Sequence, residues 1–293
     1  MKHAADFYTY ARTRYQAKLN KDAGLPKPWT QDQVLQQFRF CNVHREDDTV
    51  TKWIRKHVTH ERYGSKLLGA MVIARWFNRI ETLGKLKELG RWDLLGYWIV
   101  NLGDWADEMR KRLAEVKPLV TGAYKVKTPA KMNKLEGIIW CLEQFLPQAE
   151  YYQKIMEQEG YTLEHATLVL TQFPCLGPFM SYEVVTDLRF SILQNAPDIM
   201  HWANPGPGCA RGLSRVLGED KSFFDRHNKN DVAVMMQHMY NLLQLSKDEN
   251  YWPQSWPKWE MREVEHTLCE FDKYQRALLG EGTPKQRYNG EKE

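Results

Sequence analysis

Apolar positions recur with a helical period along almost the whole chain. Residues 3–19 place Phe7, Tyr10, Ala11 and Tyr15 near one stripe, with Lys and Arg elsewhere. Leu25–Trp29, which holds Pro26 and Pro28, interrupts the pattern. Thr30 followed by Gln33 then has the spacing of a capping box and predicts a helix start. Asp47 and Asp48 ahead of Val50, Trp53 and Ile54 predict another. Residues 62–80 repeat the period through Leu67, Leu68, Met71, Val72 and Trp76, and residues 92–115 through Leu94, Leu95, Trp98, Leu102, Trp105 and Met109. Further helices are predicted over 131–146, 149–159, 162–173, 178–194, 231–246 and 258–278. Ala123–Val126 is the one short β candidate. Pro and Gly punctuate 117–130 and 203–209, aromatics and Pro fill 248–257, and the polar tail 281–293 is expected to fray. With no repeat and no clean linker, the pattern predicts an all-α fold, one helical domain over 1–293 with room for two lobes.

The 293 residues, 34.6 kDa, suit one large domain or two modest ones, and they can bury a core without disulfides or metals. Lys plus Arg is 41 against 37 for Asp plus Glu, a net charge of +4. That excludes a histone-like basic chain and leaves room for a local basic groove. Mean hydropathy is −0.62. The longest apolar stretch, Leu67–Ala74, falls far short of the roughly 18–20 residues of a membrane span, so no membrane partner is expected. Five scattered cysteines without a CxxC pair argue against a zinc ribbon or an iron–sulfur loop and fit a reducing setting. His57 and His60 lack a third ligand, so no metal is expected. The opening MKHAADFYTYARTR has no apolar signal core, and a soluble, cytoplasmic protein is expected. The 11 Trp, 14 Tyr and 11 Phe mean either a heavy core or surfaces that stack on planar ligands. Trp76, Trp98, Trp105 and Trp140 sit on apolar stripes and are expected in the core.

Several short stretches carry candidate chemistry. In Phe173–Ser181 a helix ends, the chain turns through Gly177, and a new helix begins at Pro178, a favoured first helical position. Such a helix–hairpin–helix, spanning about 162–194 here, can hold a DNA phosphate on backbone N–H groups; an ordinary tight turn between helices fits equally. Asp187 and Asp198 follow Gly177 by 10 and 21 residues, and Glu183 lies one turn before Asp187 on the same face. A carboxylate there can stabilise a cationic transition state or accept a proton; alternatively Asp198 caps a helix beginning at Ile199. In Asn204–Leu213 a stiff loop containing Gly206 and Gly208 feeds a helix expected near Ala210. Arg211 in its first turn opposes the helix dipole unless an anion, phosphate or pyrophosphate, is bound. The P-loop pattern GxxxxGK[ST] is absent, which disfavours a complete P-loop kinase. In Phe38–Asp48, Arg39, Asn42 and Arg45 recur every third position. Their chemistry suits phosphates and base edges, or else local ion pairs at a helix end. Glu265, Cys269 and Asp272 share a helical face with Arg262, as a solvated charge ladder would.

FRFCNVHREDDTVTKWI, FPCLGPFMSYEVVTDLRF, NPGPGCARGL and VEHTLCEFDKY occur in that order. Together they resemble the α-glutamyl/putrescinyl-thymine pyrophosphorylase superfamily over residues 30–280. That group includes amino-acid:DNA transferases and the helical domain of 5-hydroxymethyluracil DNA kinases, from bacteriophage thymine hypermodification, and is related to helix–hairpin–helix DNA glycosylases. The resemblance implies a glycosylase-like helical fold and a transferase acting on double-stranded phage DNA in the host cytoplasm. An amino acid or polyamine, the co-substrate in place of any cofactor, would displace pyrophosphate from activated 5-hydroxymethyluracil after the base is flipped out. On the matching motifs, Asp198 is the implied general base or electrostatic stabiliser and Asp187 its second choice. Arg211 with Gly206 and Gly208 would take the pyrophosphate. Leu176, Gly177 and Phe179, with Arg39, Asn42 and Arg45, would contact DNA, and Glu183, Trp202, Glu270 and Lys273 would line the pocket. Phe40, Phe179, Trp202 and Trp252 are the candidates for stacking. Cys175 stands where the glycosylase hairpin usually has Gly, and the lysine of bifunctional glycosylase–lyases is missing, so Schiff-base chemistry is not expected. The rival readings are a DNA glycosylase and a non-catalytic DNA-binding module partnering a 5-hydroxymethyluracil DNA kinase.

Overall fold

A computed structural model describes residues 1–59, 61–87, 93–99, 101–122 and 126–288. Among these the chain is all-α, with twelve α-helices, no strand, and one isolated antiparallel bridge between Phe38 and Arg287. In chain order the helices are α1 (Ala4–Asp22), α2 (Gln33–Gln37), α3 (Thr49–His57), α4 (Leu67–Phe77), α5 (Ile80–Lys87), α6 (Leu102–Leu113), α7 (Lys134–Met156), α8 (Leu163–Leu170), α9 (Pro178–Leu188), α10 (Pro207–Leu217), α11 (Lys229–Leu245) and α12 (Met261–Leu278). They divide into two compact units, Met1–Asp48 with Ile199–Glu293, and Thr49–Asp198. The second is inserted into the first at Asp48–Thr49 and Asp198–Ile199, with no Gly/Ser-rich linker to mark either crossing.

In the inserted unit, α4 is buried on every side and packs against α7 and α9, while α8 and α9 pair with each other. A helix apolar all round belongs in a core. It therefore accepts a charge such as Arg75 only if that charge is paired. Helix α4 ends at Asn78, whose left-handed φ of 46° closes the helix. Helix α7 is continuous, although Pro147 predicts a break between 146 and 149. A proline removes one backbone hydrogen bond, but buried Phe145, Leu146 and Ala149 hold the helix against the core.

In the discontinuous unit, α12 lies against α10, α1 and α11. Gly208 and Gly212 permit the α10 contact: a Cβ on Gly208 would collide with Cys269 Sγ, and one on Gly212 with the Leu268 carbonyl oxygen. An aromatic cluster fills this core, with Phe7 5.8 Å from Trp259 and 5.7 Å from Phe271, and Trp252 5.2 Å from Trp259. Trp252 and Phe40 are buried within it and are not stacking surfaces. Trp140, expected in the core, is 36% exposed.

Several boundaries move. Asp32, not Thr30, caps α2 by accepting from Leu35 N–H at 2.9 Å. Helix α10 starts at Pro207, ahead of the expected Ala210, because Pro is pre-shaped for a first helical position. Residues 284–288 do not fray: Tyr288 N–H donates to Gln37 O at 3.0 Å and Arg39 N–H to Gln286 O at 3.1 Å. The β candidate Ala123–Val126 lies outside the described residues except for Val126, which is in no strand.

Candidate nucleic-acid interface

The α8–α9 hairpin is built from a buried anchor and an exposed tip. Phe173 and Leu176 are buried, and Leu176 N–H donates to Phe173 O at 3.2 Å. The Ser181 hydroxyl donates to Leu176 O, and Ser181 N–H to Gly177 O at 3.1 Å. Leu176 therefore holds the turn in place and offers no surface to DNA. Gly177 caps α9 without a side chain, and apart from its own backbone and its two chain neighbours nothing lies within 4 Å of where its Cβ would be. Phe179, on the first turn, is 51% exposed. Cys175, at the position where the resembling hairpins carry Gly, has φ 63°. The chain thus keeps the left-handed turn while paying about 1 kcal/mol for a Cβ there.

The second-choice aspartate is sealed. Asp187 and Arg75 are both fully buried. Arg75 donates through Nε to Asp187 Oδ2, and one terminal nitrogen reaches Asp187 Oδ1 at 2.9 Å. That nitrogen also reaches Thr51 Oγ1, and the other Asn78 Oδ1, each at 2.6 Å. This network ties α3, α4 and α9 together beneath the hairpin, so Asp187 belongs to the framework. Glu183, one turn earlier, is buried too.

Asp198 is half-buried, and its carboxylate accepts from Leu163 N–H at 2.8 Å and Glu164 N–H at 3.0 Å. It serves the N-terminus of α8, thirty-five residues upstream of it, and no helix begins at Ile199. Thr162 completes that cap by accepting from His165 N–H at 3.1 Å. A long-range cap of this kind has no local sequence signal.

In the other unit, carboxylates from α12 fill the places proposed for an anion. Gly206 N–H donates to Glu265 Oε1 at 3.2 Å. Arg211 and Arg215 bind the two oxygens of buried Asp272 at 2.9 and 3.0 Å, and Arg276 approaches the same carboxylate at 3.2 Å. Asp272 thus relieves the conflict between Arg211 and the helix dipole, and Gly208 serves packing. The face of α12 bearing Glu265, Cys269 and Asp272 is the α10 interface, where the spacing suggested a solvated ladder.

Arg39, Asn42 and Arg45 do not share a helical face, since most of 38–48 is irregular. Arg39 is exposed beside residues 283–287. Asn42 is a brace: its oxygen accepts from Arg14 at 2.7 Å and its nitrogen donates to Asp47 O at 3.0 Å. Arg45 opens a short 3-10 turn and is half-buried. Glu270 accepts from Cys41 N–H at 2.9 Å and pairs with Lys273 at 3.1 Å, while Lys273 lies 4.7 Å above the Phe40 ring. Both residues support that segment. Trp202 is half-buried in this unit.

One cluster was invisible to motif reading because Glu263 lies over two hundred residues from His44 and Glu46. Ligand atoms of His44, Glu46 and Glu263 lie within 4.8 Å of one another. Arg262 supplies the positive charge there, pairing with Glu46, with Glu263 at 3.0 Å and with Glu260 at 3.4 Å. Burial pushes His44 down to about 4. The other suggested histidine pair includes His60, which lies outside the described residues.

The profile of a family described as the helical domain of 5-hmdU DNA kinase matches residues 1–283. The 5-hmdU DNA kinase of Bacillus phage SP10 is 28% identical over 278 residues, 86% of this chain and 41% of that protein. The chain therefore spans about two-fifths of the relative's length. No solved structure matches.

Proposed function

The chain belongs to the 5-hmdU DNA kinase helical-domain family, and from that premise we propose that it engages DNA containing 5-hydroxymethyluracil through the α8–α9 hairpin. It would act as the DNA-holding part of a phage thymine-hypermodification system in the infected host. The observation that carries this reading is the hairpin tip. Exposed Phe179 stands beside a glycine with open space around it, at the positive end of α9. A DNA phosphate can come close to such a backbone and is favoured by the helix dipole, and an apolar side chain there can wedge into a base step. Fluorescence anisotropy with duplexes containing 5-hydroxymethyluracil or thymine tests it. Wild type should bind with a negative log–log salt slope, and Phe179→Ala should bind more weakly at an unchanged thermal midpoint. Equal binding by wild type and variant would remove the hairpin from the account.

Amine transfer is the finer reading, favoured by Asp198, whose carboxylate is fixed by two N–H groups yet partly exposed. The neutral amine of an amino acid or polyamine would attack the methylene carbon of the activated base. The carbon–oxygen bond to pyrophosphate would break, and the amine proton would pass to Asp198. Incubation with pyrophosphorylated DNA and amino acids, followed by nucleoside mass spectrometry, separates the possibilities. An amino-acyl nucleoside supports transfer, abasic sites support glycosylase chemistry, and unchanged nucleosides leave a DNA-holding domain alone.

A further inference from the structure

No motif along the chain points to a metal, yet the unit formed by Met1–Asp48 and Ile199–Glu293 gathers the donors for one. His44 precedes the 3-10 turn Arg45–Asp47, Glu46 lies on it, and Glu263 lies on the first turn of α12. One ligand atom from each lies within 4.8 Å of the other two. His44 is 4% exposed, and its Nε2 is buried with no hydrogen-bond partner among the described residues. Buried polar atoms are nearly always paired, so an imidazole with such an orphan, next to two carboxylates, is short of a partner. The buried rings of Tyr15 and Trp252, 5.3 and 5.7 Å from the imidazole, hold it in place and keep its surroundings dry.

The carboxylates are oriented as metal ligands are, by donors behind them. Glu263 Oε1 accepts from Arg262 Nε at 3.0 Å, and Glu263 Oε2 from Glu260 N–H at 3.0 Å. Glu46 Oε1 accepts from the same guanidinium. A carboxylate oxygen carries two lone pairs, so each of these oxygens has one left to offer. Arg262 thus steadies both ligands. At bond lengths of about 2.0–2.2 Å a zinc ion spans ligand atoms up to about 4.3 Å apart, so the three need close by at most about 0.5–1.5 Å. Glu46, whose side chain is 39% exposed, can make that move and leaves the ion a way in from solvent. An imidazole beside two carboxylates suits zinc-class divalent ions, whereas Mg²⁺ and Ca²⁺ prefer oxygen alone. We propose that His44, Glu46 and Glu263 bind one divalent transition-metal ion, with Zn²⁺ the best match, which staples the 44–47 turn to the start of α12.

Zinc uptake by EDTA-stripped protein, measured by competition with a chromophoric chelator, tests the proposal. Wild type should take up zinc, and its thermal midpoint should rise with Zn²⁺ and not with Mg²⁺. Glu46→Gln keeps the size of a half-exposed side chain and should fold as wild type does. It should weaken zinc binding at least about 10- to 100-fold, the loss that follows when even a group supporting a ligand is removed, and the zinc-dependent rise in midpoint should vanish with it. His44→Gln should have the same two effects. The proposal is overturned if stripped wild type takes up no zinc, or if either variant binds zinc as tightly as wild type.

Discussion

Replacing Asp187 by alanine distinguishes a framework carboxylate from a chemical one. Asp187 and Arg75 are both fully buried. The substitution leaves the guanidinium with Thr51 and Asn78 but without its counter-charge. Leaving one partner of a buried pair uncompensated costs about 3–5 kcal/mol, a large share of the roughly 5–15 kcal/mol that holds a typical protein folded. For a unit the size of Thr49–Asp198, each 1 kcal/mol moves the thermal midpoint by about 2–4 °C, so a fall of about 6–20 °C is expected. Arg75→Met should cost a similar amount. The double variant Asp187→Leu/Arg75→Met should recover much of the loss, because neither charge of this pair is then left buried without the other. Thermal and urea unfolding followed by circular dichroism, assembled as a double-mutant cycle, reads all three. A loss below about 1 kcal/mol for Asp187→Ala, or strict additivity in the double variant, would refute the buried pair and return Asp187 to the candidates for chemistry.

Gly212→Ala should destabilise by at least about 1–3 kcal/mol, since its Cβ meets backbone that cannot yield, whereas Gly177→Ala should leave the midpoint unchanged; equal effects would contradict the close crossing of α10 and α12. Asp198→Ala should cost about 1 kcal/mol through the lost cap on α8, read as a lowered urea midpoint, and an unchanged midpoint would show that the two N–H contacts contribute nothing. His44 binds its proton more weakly when folded, with its value lowered to about 4 by burial. Its contribution is therefore complete above the ordinary value near 6.5 and is lost as pH falls from there towards 4, up to ~3 kcal/mol. Urea midpoints measured between pH 7.5 and 4.5 should fall less in His44→Gln than in wild type, and parallel curves would count against a neutral buried imidazole.

The helical class and most helix positions were readable because apolar stripes at Leu67–Trp76 or Leu94–Met109 encode burial directly. The hairpin was readable for the same kind of reason: Gly177 and Pro178 state a turn and a helix start in two adjacent residues. Partnerships across long separations were not. Asp198 looked like a lone carboxylate because Leu163 N–H, its partner, carries no side-chain signature. Gly206, Gly208 and Arg211 looked like an anion loop because periodicity does not reveal that Glu265, Cys269 and Asp272 face them. Residues 284–288 were expected to fray with the rest of the tail because what orders them is backbone bonding to 37–39, and 289–293 lie outside the described residues. The insertion of Thr49–Asp198 left no trace in composition, since neither crossing, Asp48–Thr49 or Asp198–Ile199, carries a linker-like run of Gly or Ser.

The central claim is that the α8–α9 hairpin is where this chain meets DNA. Hydrogen exchange of the protein with and without a duplex containing 5-hydroxymethyluracil measures that directly. The expected result is slowed exchange at Leu176, Gly177, Phe179 and Met180 on adding DNA, lost again at high salt. Unchanged exchange at these amides under conditions where the duplex is fully bound would contradict the claim.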